Sequence, residues 1–161
     1  MTTYTIYVDG ACPNNGKPSA KAGWGAVLTN PQGDTLELAG PVPADQTQTN
    51  GRAELLAALM ALRRCKPGVP ITVISDSEYI VKGAMEWLPN WKAKGWRKSN
   101  KKPVEHRDLW EHLDQLLQTH DIRFEWVRGH AGVPGNEHAD GLANRGADGE
   151  QVEILTKATQ Q

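Results

Sequence analysis

Residues 4–38 read YTIYVDGACPNNGKPSAKAGWGAVLTNPQGDTLEL. Tyr4–Val8 is rich in aromatic and β-branched residues, the composition of a strand, and it finishes at the turn pair Asp9-Gly10. A loop from Cys12 to Ala22 carries Pro13, Asn14, Asn15, Gly16 and Pro18. Gly23–Thr29 (GWGAVLT) reads as a second strand, Asn30-Pro31-Gln32-Gly33 as a turn, and Asp34–Leu38 as a third, returning strand. Consecutive strands with such connections make an antiparallel meander, which Pro41 and Pro43 bring to an end.

Beyond the meander the pattern changes to alternating helix and strand. Glu54–Arg64 (ELLAALMALRR) places Leu55, Leu59 and Leu62 at helical spacing among strong helix formers, and Pro67-Gly68 stops it. Ile71–Ser75 (ITVIS) is a β-branched run suited to a buried strand. Ser77 can cap a helix from Glu78 to about Leu88, which Pro89 ends or kinks. Asp108–Leu117 is helical in period, Ile122–Val127 alternates as a strand, and Glu137–Arg145 is a final helix after the Gly-rich loop 129–136. The expected order, β-β-β-α-β-α-(α)-α-β-α, implies an α/β (α+β mixed) fold with a five-stranded mixed sheet flanked by helices. Residues 149–161 are mostly polar and are expected to form a loosely ordered tail behind a domain of residues 1–148.

The length of 161 residues suits one domain, and a net charge of −1 argues against a polybasic binder and against a disordered chain. Two cysteines, Cys12 and Cys65, make neither a disulfide framework nor a metal cluster. No secretory signal or membrane span is visible, so a cytoplasmic protein is expected, with no membrane partner.

Four carboxylates fall at the ends of elements. Asp9 closes the first strand, Glu54 opens the most apolar helix, Asp76 follows ITVIS, and Asp140 lies early in the last helix. Strand ends and helix starts are where a rigid scaffold brings loops together, and a carboxylate cluster without thiolates suits a hard cation such as Mg²⁺ or Mn²⁺. Acids at such places also arise as ordinary turn and cap chemistry, and spacing alone leaves both readings open. Residues 91–107, WKAKGWRKSNKKPVEHR, hold seven basic residues against Glu105. The segment therefore carries +6 and the remainder −7 of the total of −1. Trp87, Trp91 and Trp96 cluster with it, a pairing of base-stacking and phosphate-neutralising groups that favours nucleic-acid contact over a merely solvated face.

These pieces together resemble ribonuclease H of type 1. The matching segments are YVDGAC (Tyr7–Cys12), GWGAV (Gly23–Val27), TNGRAEL (Thr49–Leu55), SDSEYI (Ser75–Ile80), NWKAKGW (Asn90–Trp96), KKPV (Lys101–Val104), DLW (Asp108–Trp110) and VRGHAGVPGNEHADGLA (Val127–Ala143). The resemblance implies the ribonuclease H-like fold and an endonuclease that hydrolyses the RNA strand of RNA–DNA hybrids, leaving 5′-phosphate and 3′-hydroxyl ends with little sequence dependence. It implies catalysis by two Mg²⁺ ions, with Mn²⁺ a possible substitute, held by Asp9, Glu54, Asp76 and Asp140. Asp9 would bridge the ions, Asp140 would serve the attacking water, and Glu54 with Asp76 the leaving oxygen. His130 matches a loop histidine that assists proton transfer or product release.

The substrate side of the resemblance is broader. It places Cys12, Asn14, Asn15 and Glu54 near the RNA 2′-hydroxyls, and Thr49, Asn50 and Arg52 on a phosphate of the DNA strand. Lys92, Lys94, Trp96 and Lys98 fall on a basic protrusion, with Trp87 and Trp91 beside the DNA groove. The implied partner is the hybrid alone, met by a monomer. Departures accompany the likeness. The loop PNNGKPSAKAGW (Pro13–Trp24) is longer than in many relatives, Gly51 stands where relatives commonly carry Asn, and His106 stands where an Asn cap is usual. No separate hybrid-binding domain is expected before the first strand.

Overall fold

The computed structural model describes residues 2–158. One sheet of six strands runs in the order β5-β4-β1-β2-β3-β6. The meander forms as expected from β1 (Tyr4–Ala11), β2 (Gly23–Thr29) and β3 (Thr35–Pro41), all antiparallel. β4 (Ile71–Ser75) joins β1 in parallel, and β5 (Ile122–Trp126) joins β4 in parallel.

Alternation along β1 divides its side chains between two cores. Tyr4, Ile6 and Val8 are buried with the leucines and alanines of α1 (Asn50–Leu62), whereas Tyr7 packs with Ala139 and Leu142 of α5 (Pro134–Ala147). Helix α1 is apolar on nearly every side, since Ala53, Leu55, Ala57, Ala58, Leu59, Ala61 and Leu62 are all buried. Helix α5 lies directly on β2. A Cβ added to Gly25 would stand 2.5 Å from the Ala143 nitrogen and 2.6 Å from the Ala139 oxygen, so only glycine permits this approach.

Several expectations are corrected. Helix α1 starts at Asn50 rather than Glu54, because Thr49 is its N-cap: the Thr49 hydroxyl accepts from the Arg52 N–H at 3.2 Å. Glu54 therefore sits one turn inside the helix instead of opening it. Pro89 does not end the second helix. Helix α2 (Glu78–Lys82) passes through a π-helical turn, Gly83–Trp87, into α3 (Leu88–Ala93). Pro89 then falls in the first turn of α3, where a missing N–H costs nothing. Helix α4 (Arg107–Thr119) follows His106, whose φ of 56° is left-handed and whose side chain makes no cap bond.

The tail differs most. Val152–Thr156 is a sixth strand, β6, paired antiparallel with β3, so the sheet has six strands rather than five. Periodicity was too weak to reveal it, since only Val152 of its five residues is buried. It is held by ladder bonds and by two remote contacts: Arg64 pairs with Glu153 at 2.6 Å, and the Ala158 N–H donates to Asp34 at 2.8 Å. Ending the chain at Gly149 should lower stability by about 1–2 kcal/mol through loss of these pairings, with cooperative unfolding retained at a lower melting temperature. Gly25→Ala should cost more, about 1–3 kcal/mol, by lifting α5 off β2; thermal unfolding of both variants checks the order.

Candidate active site

The parallel pairing of β1 with β4 brings two of the four acids together. Val8 is opposite Ser75, so Asp9 and Asp76 are the next residues along neighbouring strands. Gly10 points to the other face of the sheet, where α1 lies so close that a Cβ on Gly10 would stand 2.8 Å from the Glu54 side chain and backbone nitrogen. Glycine at this position lets Glu54 reach the rim of the sheet. From the opposite face α5 presents Asp140, which lies near enough to help raise the Asp9 carboxyl. Two helices on opposite faces and two parallel strands thus contribute one acid each to one place.

Burial and mutual repulsion dominate the electrostatics. Asp9 is only 6% exposed. Burial first, then the charge of Asp76, pushes its carboxyl up to about 8 from an ordinary 3.8. Burial likewise raises Glu54 from 4.5 to about 7, with the Ser77 hydroxyl opposing and Asp76 adding to the rise. One oxygen of Glu54, Oε2, is buried without any hydrogen-bond partner. The orphaned oxygen, the raised acids and an all-oxygen donor set fit a hard divalent cation. Among the described residues no three His, Cys, Asp or Glu side chains are already gathered at ligand spacing, so the acids converge as neighbours rather than as a closed cage.

Residues 1–148 match the RNase H family model. The chain belongs to the ribonuclease H family. Ribonuclease HI of Pseudomonas aeruginosa strain PAO1 is 50% identical over 141 residues, covering 88% of this chain and 90% of that one. The solved structure of LC9-RNase H1, a type 1 RNase H with the type 2 active-site motif, superposes with a TM-score of 0.81 at 29% identity, covering 98% of this chain and 78% of that chain. A foamy viral protease–reverse transcriptase, solved in complex with an RNA/DNA hybrid, superposes with a TM-score of 0.72 at 25% identity, covering 91% of this chain and 20% of that one. Ribonuclease H enzymes are endoribonucleases, hydrolases of phosphodiester bonds.

The remaining expected residues divide between those that face the ribonuclease H site and those committed elsewhere. His130 is exposed with a left-handed φ of 54°, and its neighbour Gly129 lies against Asp76, a Cβ there meeting Oδ2 at 2.8 Å. Asn14 is exposed, whereas Asn15 accepts from the Asn50 N–H at 3.3 Å and ties the first loop to α1. Cys12 is buried, its thiol directed at the Gln48 carbonyl. Thr49 and Asn50 line a groove of about 600 Å³ that also includes Thr47, Glu54, Tyr79 and His106. Arg52 is not free to hold a phosphate: it is 7% exposed and makes a bidentate pair with Asp108 at 2.6 and 3.1 Å.

On the protrusion, Trp87 is exposed and stacks obliquely on Trp91, while Trp91 and Trp96 pack partly onto the core. Lys92 is paired with Asp114 at 3.1 Å and Lys98 with Glu105 at 3.8 Å; Lys94 is exposed. Three contributors went unread in the sequence. The Gln48 amide knots the loops, accepting from Ala22 N–H and donating to the Pro43 carbonyl, both at 2.8 Å. The Tyr79 hydroxyl accepts from the buried Trp110 indole at 3.0 Å. The Trp126 indole donates to the Asp76 carbonyl at 3.1 Å, fixing the backbone that carries that acid. No periodic signal marks such single polar ties.

The raised acids give a signed prediction. Both bind protons more tightly folded than unfolded, so without divalent ions their contribution to stability is fully present below the ordinary carboxylate range and is lost as pH rises through about 7–8. Asp9→Asn removes the larger of these penalties. It should stabilise the metal-free protein by more than about 1 kcal/mol at pH 8, with the gain shrinking to nothing near pH 4. Denaturant unfolding in chelator at the two pH values tests this; equal gains at both would refute the electrostatic origin.

Proposed function

We propose that this chain hydrolyses the RNA strand of RNA–DNA hybrids as an endonuclease, largely without regard to sequence, leaving 5′-phosphate and 3′-hydroxyl ends. The observation that carries this reading is the proximity of Asp9, Glu54, Asp76 and Asp140 at one end of the sheet, with Asp9 and Glu54 raised by burial and neighbouring acids and one Glu54 oxygen unpartnered. Those four acids would hold two Mg²⁺ ions, or Mn²⁺ in their place, which supply an activated water and neutralise charge building on the phosphate oxygens.

The protein's own part is positional. Asp9 and Asp76 are fixed by the sheet, Glu54 and Asp140 by helices from either face, so the acids are set in place before substrate arrives. His130, exposed beside the Asp76 side of the site, is placed to carry a proton or aid product release. Close backbone approach at Gly10, with Cys12, Asn14 and Asn15 on the adjoining loop, suits reading of 2′-hydroxyls, the groups that separate RNA from DNA. The exposed Trp87 face, Trp91, Trp96 and the lysines at 92, 94 and 98 suit a phosphate backbone. Contacts of this kind carry little base information.

We assign the catalytic unit to residues 1–148, acting as a monomer because one chain supplies all four acids. A cytoplasmic setting is supported by two buried, unlinked thiols, Cys12 and Cys65, which suit a reducing compartment. Among the described residues no helix is long and apolar enough to cross a membrane.

A labelled hybrid incubated with and without Mg²⁺, beside duplex RNA and duplex DNA, tests the reading. Wild type should cut only the RNA strand of the hybrid, and Asp9→Asn should bind hybrid but lose at least about 10³-fold in kcat, the scale of losing a central electrostatic group. Duplex DNA cut as readily as hybrid would sink it. Replacing Lys92, Lys94 and Lys98 together with Ala should raise KM several-fold with little loss of kcat, and should make KM less dependent on salt than in wild type.

A further inference from the structure

Trp126 is 48% exposed and ends β5, the edge strand beside β4. Its register is fixed. It pairs with Ser75, and the Val127 N–H donates to the Ser75 carbonyl at 3.0 Å, so the ring lies next to the residue that precedes Asp76. The indole N–H is committed to the Asp76 carbonyl. What the side chain turns to solvent is therefore its apolar π surface and not its one donor. Among the described residues no other aromatic ring stacks on it, unlike Trp87, which leans on Tyr79 and Trp91.

The surroundings add a cation. Arg128, two residues on, is exposed and has no carboxylate partner among the described residues. Arg123 and Glu125 fall on the other face of β5 by strand alternation. The chain then passes over the acid, since a Cβ on Gly129 would stand 2.8 Å from Asp76 Oδ2. The strand order β5-β4-β1 puts Trp126 outside Asp76, on the side away from Asp9. The ring thus flanks the acids on one side only, and its hydrogen bond to β4 holds it in place before any ligand arrives.

One exposed ring is too small for a stable protein partner, which needs about 800 Å² on each side. It matches the face of a single base. Bases inside a paired hybrid are already stacked on their neighbours, so the occupant is an unpaired one. We propose that Trp126 stacks an unpaired base of the RNA strand just beyond the end of the paired hybrid, with Arg128 holding a phosphate of that tail, so that the enzyme favours hybrids bordered by single-stranded RNA. The tail belongs to the RNA strand because Trp126 is bonded to the residue whose carboxylate faces the strand being cut. The inference rests on the hybrid-cleaving reading and adds a substrate feature to it, the junction of hybrid and single strand.

Cleavage of short hybrids of equal paired length, with a blunt end, a 5′ RNA tail or a 3′ RNA tail, tests this. One tail polarity should lower KM at least about 5-fold relative to the blunt hybrid, and the other should leave it within about twofold. Trp126→Leu keeps apolar bulk at the strand edge and should bring the favoured tail to within about twofold of blunt. Reading the tailed-to-blunt ratio within each variant removes any loss of rate from a looser Asp76 backbone. On wild type, a tail of abasic nucleotides should lose most of the gain, which keeps the test available if Trp126→Leu fails to fold. Arg128→Ala should keep the base-dependent part and make the tail's effect less dependent on salt. Equal KM for tailed and blunt hybrids, equal gains from both polarities, a gain that persists in folded Trp126→Leu, or an abasic tail as good as a natural one would overturn the proposal. Wild type that cuts no hybrid at all would instead remove the underlying functional reading.

Discussion

Repulsion among carboxylates is the constraint around which this molecule is organised. Asp9 is almost fully buried, its carboxyl raised by burial and by the nearby acids Asp76 and Asp140, and Glu54 keeps one oxygen without a partner. Such an arrangement disfavours folding on its own terms. It persists because the elements carrying the acids are held by something stronger. β1 and β4 are both interior strands of a six-stranded sheet, and α1 and α5 cover its two faces.

The covering helices approach unusually closely, and the approach depends on residues that lack side chains. Gly10 admits α1 and Glu54; Gly25 admits α5, and with it Asp140. Four glycines or alanines of α5 that face the sheet, Ala139, Ala143, Gly146 and Ala147, make the other half of that contact. Packing density at these contacts and charge repulsion at the site are therefore coupled: the same close approach that stabilises the domain forces the acids together. Energy stored in the metal-free site is available to draw in positive charge.

The meander, α1, β4 and α5 were legible because each has its own local signature. β-branched runs bounded by Gly, Asn and Pro marked the strands, and leucine spacing marked the helix. What stayed hidden lacked one. β6 exposes four of its five residues and exists only because β3 offers it an edge. The π-helical turn at Gly83–Trp87 arises where Gly83 lets the Trp110 ring press against the helix, a contact between residues far apart in sequence. Trp126 satisfies strand alternation yet is half exposed, because β5 is the sheet's other edge.

The candidate site divides in the same way. The identity and order of Asp9, Glu54, Asp76 and Asp140 are properties of the chain, and so is the uneven charge that places +6 on residues 91–107. How those side chains are partnered is not. Arg52, Lys92 and Lys98 each find an acid in the folded molecule, at Asp108, Asp114 and Glu105. Gln48 and Trp126 acquire their roles through partners far along the chain, at Ala22 and Asp76. A sequence states which charges and shapes are available, because those are properties of single residues and their near neighbours. Only the tertiary structure decides how they are paired, since burial and hydrogen bonding belong to residues that the chain separates and the fold brings together.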